Sequence, residues 1–190
     1  MIDYNKLLRN KYVHSILEWV YVIIIAFCIA IVVKAFIVET DIVNGISMEP
    51  SFIEGEKVLV EKLSYRFREP KRGEVIVFNP INTKDNYIKR IIALPGETVD
   101  IKDGNIIVDD DILYEDYIQG ENYIGIDNIE FPYTVLDGEY FVLGDNRMHS
   151  VDSRSNTLGK VSLDNIKGRC FFVLTNTEHQ GFIKEINYDD

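Results

Sequence analysis

Cysteine is scarce in this sequence of 190 residues, and its scarcity excludes several classes of protein. The two cysteines, Cys28 and Cys170, lie in separate apolar runs far apart in the chain, so no disulfide framework is expected. The sequence also lacks metal-ligand spacings, glycine-rich phosphate loops and internal repeats. Neither a metal nor any other cofactor is therefore predicted.

Positive charge is scarce beyond the first apolar run. After Val38 the chain holds 16 of its 20 Lys and Arg residues and 29 of its 31 Asp and Glu residues, which gives a formal charge of −13. Such a domain is repelled by nucleic acids and by anionic lipid headgroups. No nucleic-acid partner is predicted, and the sequence leaves the oligomeric state open.

One long apolar run is present, residues 16–38, and its central part, residues 19–33, carries no charge. Twenty-three residues of helix extend about 35 Å at ~1.5 Å per residue, enough to cross a hydrocarbon core of ~30 Å. A buried core helix is disfavoured because every face is apolar. A cleaved secretory signal is disfavoured because the run is long and bulky residues 36–38 follow the nearest cleavage-like site. The prediction is a retained transmembrane anchor.

The charge on either side of this run predicts its orientation. Lys6, Arg9 and Lys11 precede the run, whereas acidic residues follow it. Positive flanks face the cytoplasm. Residues 1–15 are therefore predicted to be a cytoplasmic tail, and residues 39–190 an extracytoplasmic domain of a single-pass protein of the cell membrane.

The part beyond the anchor is predicted to be mainly β. Segments rich in β-branched and aromatic residues alternate with turn formers, and Asp103-Gly104 is a strong hairpin signal. The predicted strands are residues 57–60, 74–78, 87–92, 98–101, 106–108, 140–143 and 170–174. A short helix is expected to begin within residues 162–166. An acidic, poorly patterned insert is expected at about residues 104–138.

Ser47 and Lys89 form a candidate hydrolytic pair. Ser47 ends an extended entry segment, follows Gly45 closely and precedes Pro50, which predicts a turn with an exposed hydroxyl. Strand alternation places Lys89 and Ile91 on one face and Ile88 on the other. A lysine desolvated by apolar neighbours can lose its proton near neutral pH and serve as the base for a serine. A turn serine and a solvated edge-strand lysine are the ordinary alternatives.

Five motifs of the sequence, in order, resemble those of bacterial type I signal peptidases, and the match runs over most of the chain. The motifs are Ser-Met-Glu-Pro-Ser at 47–51, Gly-Glu-Lys-Val-Leu-Val at 55–60, Arg-Gly-Glu-Val-Ile-Val-Phe at 72–78, Lys-Arg-Ile-Ile-Ala-Leu-Pro-Gly-Glu at 89–97 and Gly-Asp-Asn-Arg-Met-His-Ser-Val-Asp-Ser-Arg at 144–154. The short insert and the single anchor resemble the Gram-positive members of the family.

The resemblance implies a membrane-bound serine endopeptidase that removes N-terminal signal peptides from exported preproteins. It implies a Ser–Lys dyad and cleavage after small residues of the Ala-x-Ala type. It also implies a β catalytic domain of the signal-peptidase type with a small inserted β cap. The expected partners are exported preproteins and the lipid bilayer.

The last motif is expected to support the dyad. We assign Ser150 to hold the Lys89 amine, because a hydroxyl can accept and donate without adding charge. Ion pairs are expected to fix the surrounding loop. The charged residues assigned to this role are Asp152, Arg154, Asp145 and Arg147. Turn chemistry and surface salt bridges are the alternative for all of them.

The remaining assignments concern the oxyanion and the substrate. The backbone amide of Ser47 is expected to stabilise the oxyanion. Gly45 replaces a serine that some members carry, and it allows close approach of the backbone. The family's shallow pockets correspond here to Met48, Phe52, Tyr87 and Ile88, for which simple core packing is the alternative.

Other functions remain open at this stage. A self-cleaving repressor uses the same chemistry, but it is cytoplasmic and has a DNA-binding domain, of which the sequence shows no sign. A membrane-anchored binding module would need neither Ser47 nor Lys89. A Ser–His–Asp enzyme would use His149, which stands where the family often has Asn, or His179. A Cys170 transpeptidase lacks an obvious histidine partner nearby in the sequence.

Overall fold

The computed structural model describes residues 11–81, 83–123, 127–184, 186 and 188. It contains two compact units, Met1–Val38 and Glu39–Asp190. The predicted cytoplasmic tail, residues 1–15, lies mostly outside the described residues.

The first unit is dominated by one helix, α1, Lys11–Phe36. Within it, Val13–Ile31 has a mean hydropathy of 2.1, and none of this stretch is buried inside the protein. A soluble protein would bury such a surface, because a helix that is apolar on all sides gains nothing from water contact. By length and composition α1 is able to cross a membrane.

The second unit contains twelve strands among its described residues. They are β1 Val38–Ile42, β2 Lys57–Glu61, β3 Val75–Phe78, β4 Tyr87–Ala93, β5 Thr98–Lys102, β6 Asn105–Val108, β7 Asp111–Ile112, β8 Tyr133–Thr134, β9 Glu139–Leu143, β10 Val161–Ser162, β11 Ile166–Val173 and β12 Gly181–Phe182. The larger sheet has the order β1-β2-β11-β3-β4-β9-β10, and β12 pairs with β11. The prediction of a mainly β fold is confirmed.

The smaller sheet has the order β7-β6-β5-β8 and runs from Thr98 to Thr134. It begins earlier in the chain than the expected insert, because β5 pairs with β6 across the Asp103-Gly104 turn. A shared apolar cluster joins the two sheets, with Ile92 and Phe141 from the larger sheet and Val99 from the smaller one. The smaller sheet is therefore packed directly onto the larger one.

The ends of several strands differ from the sequence-based expectation. β11 begins at Ile166, earlier than residue 170, because its first half pairs with β3 and its second half with β2. The polar stretch at the start of β11 hid this pairing. The helix expected within residues 162–166 is a single 3₁₀ turn, Leu163–Asn165. Strands of two residues carry no periodic pattern and were not predicted.

Candidate active site

Ser47 lies on a turn that is anchored from behind by the core. The Phe52 amide donates to the Met48 carbonyl at 3.0 Å, and the Glu49 amide donates to Ile46 at 3.2 Å. Both Met48 and Phe52 are fully buried, in the apolar cluster that also contains Ile88. Burying each of these large side chains contributes about 1.5–3 kcal/mol. The turn that presents Ser47 is thus held in place by the packing of the residues that follow it.

Lys89 reaches Ser47 from the middle of the larger sheet. It lies on β4 directly opposite Ile76 of β3, and its side chain is buried. Its Nζ is 2.6 Å from Ser47 Oγ and donates a second hydrogen bond to the Ile88 carbonyl at 3.1 Å. The structure therefore brings together the two residues on which the sequence-based hypothesis depends.

Burial sets the protonation state of the Lys89 amine. Desolvation is the largest influence and lowers its pKa from 10.5 to about 8. The carboxylates of Asp152 and Asp145 act in the opposite direction, and the guanidinium of Arg154 lowers the pKa further. Both carboxylates are paired with arginines, so they do not restore the ordinary lysine pKa. With this pKa about one tenth of the amine is neutral at pH 7, against roughly one part in 3,000 for a lysine with a pKa of 10.5.

The loop that begins at Gly144 holds the backbone of Ser47. The Asn146 amide donates to the Ser47 carbonyl at 3.1 Å, and the Asn146 side chain donates to the Ile46 carbonyl at 3.2 Å. A Cβ at Gly144 would lie 2.4 Å from the Ser47 carbonyl oxygen, so only glycine permits this approach. Sequence reasoning missed Asn146, although its amide is able both to donate and to accept hydrogen bonds.

Buried ion pairs fix this loop. Arg154 Nε donates to Asp152 Oδ1 at 2.8 Å, and the other Asp152 oxygen accepts the Gly144 amide at 3.1 Å. Asp145 pairs with Arg90 through two hydrogen bonds, one of them from Nε at 2.9 Å. Asp152 and Arg154 thus pair with each other, whereas Asp145 takes its partner from β4.

Arg147 takes its partner from the insert. Its guanidinium donates to both carboxylate oxygens of Glu115, and its Nε donates to the Gly144 carbonyl at 3.0 Å. The Gln119 amide donates to the Asp145 carbonyl at 2.8 Å. Sequence reasoning missed Glu115 and Gln119, because their segment lacks any recognisable pattern.

Ser150 was assigned to hold the Lys89 amine, but in the structure it makes no hydrogen bond with that amine. Its Oγ is buried and makes no hydrogen bond within the part of the chain that the structure describes. It lies against Gly144, where an added Cβ would come within 2.2 Å of it. The hydrogen bonds of the Lys89 amine go to Ser47 and Ile88. The role of Ser150 in holding the Lys89 amine therefore stays a prediction.

An open cleft of about 690 Å³ leads to the dyad. Met48, Tyr87 and Ile88 line it, together with His149 and Val151. Phe52 does not line the cleft: it is wholly buried in the core behind Met48. A sequence cannot distinguish these two fates, because a pocket wall and a core position are apolar alike.

The candidate oxyanion donors differ in their present partners. The Gly45 amide, whose residue has a φ of +81°, donates to Glu54 Oε1 at 3.2 Å. Among the described residues the Ser47 amide has no protein acceptor. Of the two, the Ser47 amide is the donor available to a substrate oxygen.

The two histidines of the second unit, His149 and His179, have partners other than the Ser47 hydroxyl, although His149 lines the same cleft. His149 Nδ1 is 3.2 Å from Asn146 Oδ1, and His179 Nδ1 is 3.1 Å from Glu56 Oε1. Neither makes a hydrogen bond with Ser47 among the described residues. Cys170 is buried, and burial raises the pKa of its thiol well above the ordinary value. Within the same residues no group of three or more potential ligands is placed to hold a metal ion.

Comparison with known proteins gives consistent matches. Residues 16–175 match the family described as signal peptidase, peptidase S26. Signal peptidase I T of Bacillus subtilis (strain 168) is 36% identical over 170 residues, which cover 86% of this chain and 88% of the relative. Probable signal peptidase I-2 of Synechocystis sp. is 38% identical over 152 residues, covering 77% and 67%. A solved signal peptidase I from Enterococcus faecalis V583 is 32% identical, with a TM-score of 0.44, and covers 57% of this chain and 98% of that one.

Replacing Lys89 with methionine should stabilise the fold, and the gain should depend on pH. Below pH 8 the amine is charged in both states, and its lowered pKa costs the folded state about 3 kcal/mol at ~1.36 kcal/mol per pKa unit. Between pH 8 and 10.5 the folded lysine loses its proton first, so wild type regains this energy. Thermal unfolding of both proteins should show the largest midpoint difference at pH 7 and almost none at pH 10.5.

The exposed Lys57 provides the control for this measurement. Lys57→Met should leave the midpoint within a degree or two of wild type at every pH, because the solvated amine has no burial cost to relieve. A midpoint difference for Lys89→Met that stayed constant from pH 7 to 10.5 would contradict the assigned pKa.

Proposed function

This chain belongs to the signal peptidase family, peptidase S26, and is a serine endopeptidase; from that membership we propose that Ser47 is its nucleophile and Lys89 its general base. Signal peptidases I remove signal peptides from exported preproteins. The observation that carries the proposal is the 2.6 Å contact between Lys89 Nζ and Ser47 Oγ inside a buried environment. Ser–Lys pairs are a recognised variant of the serine triad.

The reaction follows from this contact. The neutral Lys89 amine takes the proton of Ser47 as Oγ attacks the carbonyl carbon of the scissile bond. The resulting oxyanion accepts a hydrogen bond from the Ser47 amide, which is free of protein acceptors among the described residues. The Lys89 ammonium then protonates the departing amine, which leaves an ester on Ser47. A water molecule, deprotonated by Lys89, hydrolyses this ester and restores both groups.

The surrounding residues hold the two groups in this geometry. We assign to Asp145, Arg147, Asp152 and Arg154 the role of fixing the loop that bonds the Ser47 backbone. The unpaired and buried hydroxyl of Ser150, next to that loop, supports a role for it in orienting the amine when substrate is bound. Gly45 leaves space for the substrate backbone, since it has no side chain.

The walls of the cleft support a preference for small side chains. Met48 and Ile88 are buried up to their cleft surface, so neither has free volume into which it can withdraw. Tyr87 narrows the same wall. Phe52, directly behind Met48, makes that wall rigid. We propose that these residues accept alanine before the scissile bond and exclude larger side chains.

Loss of either the nucleophile or the base should nearly abolish turnover. Ser47→Ala and Lys89→Ala should each lower kcat by at least about 10³-fold, as removal of a nucleophile or its base does in serine enzymes. Lys89→Arg should be equally damaging, because a guanidinium stays protonated. In wild type kcat/KM should rise with pH and level off above the Lys89 pKa of about 8, since the neutral amine is the active form. Cleavage of a preprotein by detergent-solubilised enzyme measures all of these.

The histidines serve as internal controls for the same assay. His149→Ala and His179→Ala should each retain most of the activity, because neither ring bonds the Ser47 hydroxyl. An inactive but folded His149→Ala protein beside an active Lys89→Ala protein would assign the enzyme to the Ser–His–Asp class instead.

Substrate preference gives a second test. Replacing the alanine before the scissile bond by phenylalanine should lower kcat/KM by at least about 100-fold, because a closely packed pocket rejects a larger side chain through steric cost. Met48→Ala should recover part of the loss by opening the wall, whereas Phe67→Ala, on an exposed residue outside the cleft lining, should not. Equal rates on the two substrates with wild type would remove Met48, Tyr87 and Ile88 as pocket walls.

We further propose that α1 anchors the enzyme in the cell membrane with the N-terminus in the cytoplasm. The basic residues before α1 and the acidic ones after it support this orientation. Protease added to spheroplasts should degrade an epitope tag on the catalytic unit and spare a tag placed before α1. The reverse pattern would contradict the orientation.

A further inference from the structure

Two described residues beyond β12, Ile186 and Tyr188, lie next to Gly73 of the catalytic unit. A Cβ placed on Gly73 would lie 2.5 Å from the Ile186 carbonyl oxygen and 3.3 Å from Cε2 of Tyr188. The Tyr188 hydroxyl shares a hydrogen bond with the hydroxyl of Tyr117, which belongs to the insert. Tyr188 thus connects the end of the catalytic sheet with the insert.

Gly73 and Tyr117, the two residues that Tyr188 contacts, both also contact Arg90. Arg90 donates from one guanidinium nitrogen to the Gly73 carbonyl at 2.9 Å. Its Cζ lies 4.5 Å from the centre of the Tyr117 ring, a distance suited to a cation–π contact. Tyr188 therefore contacts two of the partners of Arg90, whereas among the described residues it makes no hydrogen bond with the guanidinium itself.

Arg90 in turn connects these partners to the dyad. It follows Lys89 directly on β4, and its carboxylate partner Asp145 is buried. The residue after Asp145, Asn146, donates to the Ser47 carbonyl. A displacement of Arg90 would therefore move both halves of the dyad, one through the strand and the other through the loop.

We propose that Tyr188 is a positioning residue for catalysis, which holds Gly73 and Tyr117 against Arg90 and so keeps Arg90 paired with Asp145 and the Asp145 loop hydrogen-bonded to the Ser47 backbone. The proposal rests on the dyad mechanism proposed above. Tyr188 contacts neither member of the dyad in the described hydrogen bonds, so its effect is transmitted through Arg90.

The hydrogen bond between Tyr117 and Tyr188 does not titrate over the pH range in which Lys89 loses its proton. Burial raises the pKa of Tyr188 to about 12 and that of Tyr117 further above its ordinary value. The charged groups that act on Lys89 are the carboxylates of Asp145 and Asp152 and the guanidinium of Arg154. Loss of the Tyr188 contact would loosen the Arg90–Asp145 pair, and more of the Asp145 charge would then act on Lys89 and raise its pKa towards 10.5.

Kinetics of Tyr188 variants test this role in the full-length, detergent-solubilised enzyme. Tyr188→Ala should lower kcat about tenfold while KM changes less than about twofold, because misplaced reacting groups lower the rate without weakening substrate binding. The pH at which kcat/KM levels off should move upwards from about 8. Tyr188→Phe keeps the ring against Gly73 and should restore kcat to within about threefold of wild type. Phe182→Ala, on an 81% exposed residue of the neighbouring strand β12, should leave kcat and the pH profile unchanged.

A glycine pair gives an independent test that keeps Tyr188 intact. Gly73→Ala should displace Ile186 and Tyr188, because the new Cβ would clash with the Ile186 carbonyl oxygen. It should therefore reproduce the kinetic effects of Tyr188→Ala. Gly138→Ala is the matched control: its φ of +74° resembles the +83° of Gly73, but a Cβ there meets nothing within 4 Å. The control carries similar backbone strain, so it should lose stability while keeping kcat.

A direct titration separates this proposal from the dyad mechanism. NMR of isotopically labelled protein follows the Lys89 Cε resonance, which is identified by its absence from a Lys89→Met sample. The titration of this resonance gives the pKa of the Lys89 amine whether or not the amine is the base. Its pKa should be higher in Tyr188→Ala than in wild type. Lower thermal stability of Tyr188→Ala with unchanged kcat, KM and Lys89 pKa would overturn the proposal, since Tyr188 would then be structural only. If Lys89→Ala stayed active, the dyad would fail instead.

Discussion

The burial of one amine beside a serine hydroxyl is the constraint on which the catalytic unit depends. Keeping Lys89 out of water lowers its pKa to about 8 and costs the folded state about 3 kcal/mol at neutral pH. Burial of Met48 and Phe52, the apolar residues behind Ser47, offsets this cost, at about 1.5–3 kcal/mol each. The turn that carries the nucleophile is thus also part of the core that stabilises the base.

The loop that faces the Lys89 amine must be held in place without raising the pKa of that amine. A lone carboxylate at ~4 Å would favour the ammonium form by about 4 kcal/mol at an effective dielectric constant of ~20, more than the desolvation cost. Asp145 and Asp152 each share their charge with an arginine through two hydrogen bonds. The carboxylates therefore organise the loop while the lysine pKa remains low.

The sequence predicts the dyad because each member leaves a local signal. Ser47 lies between turn formers, and Lys89 interrupts a β-branched strand, so its desolvation follows from strand alternation. The Arg90–Asp145 pair joins residues 55 positions apart and depends on the order of strands in the sheet. Contacts of that kind have no local pattern, and for this reason Asn146 and Tyr117 were missed. The resemblance to signal peptidases supplied the roles that spacing alone left open.

Three arginines of the site, Arg90, Arg147 and Arg154, are almost fully buried. Buried ion pairs add little net stability, because desolvation consumes most of the Coulomb energy, and well-packed apolar residues often serve stability better. Their guanidinium groups instead define directions: each donates to a carboxylate and to at least one backbone carbonyl, those of Gly73, Gly144 and Arg147. A fork of fixed geometry sets the position of backbone atoms more closely than packing does. The site therefore gives up stability for a loop whose backbone stays within hydrogen-bond distance of Ser47.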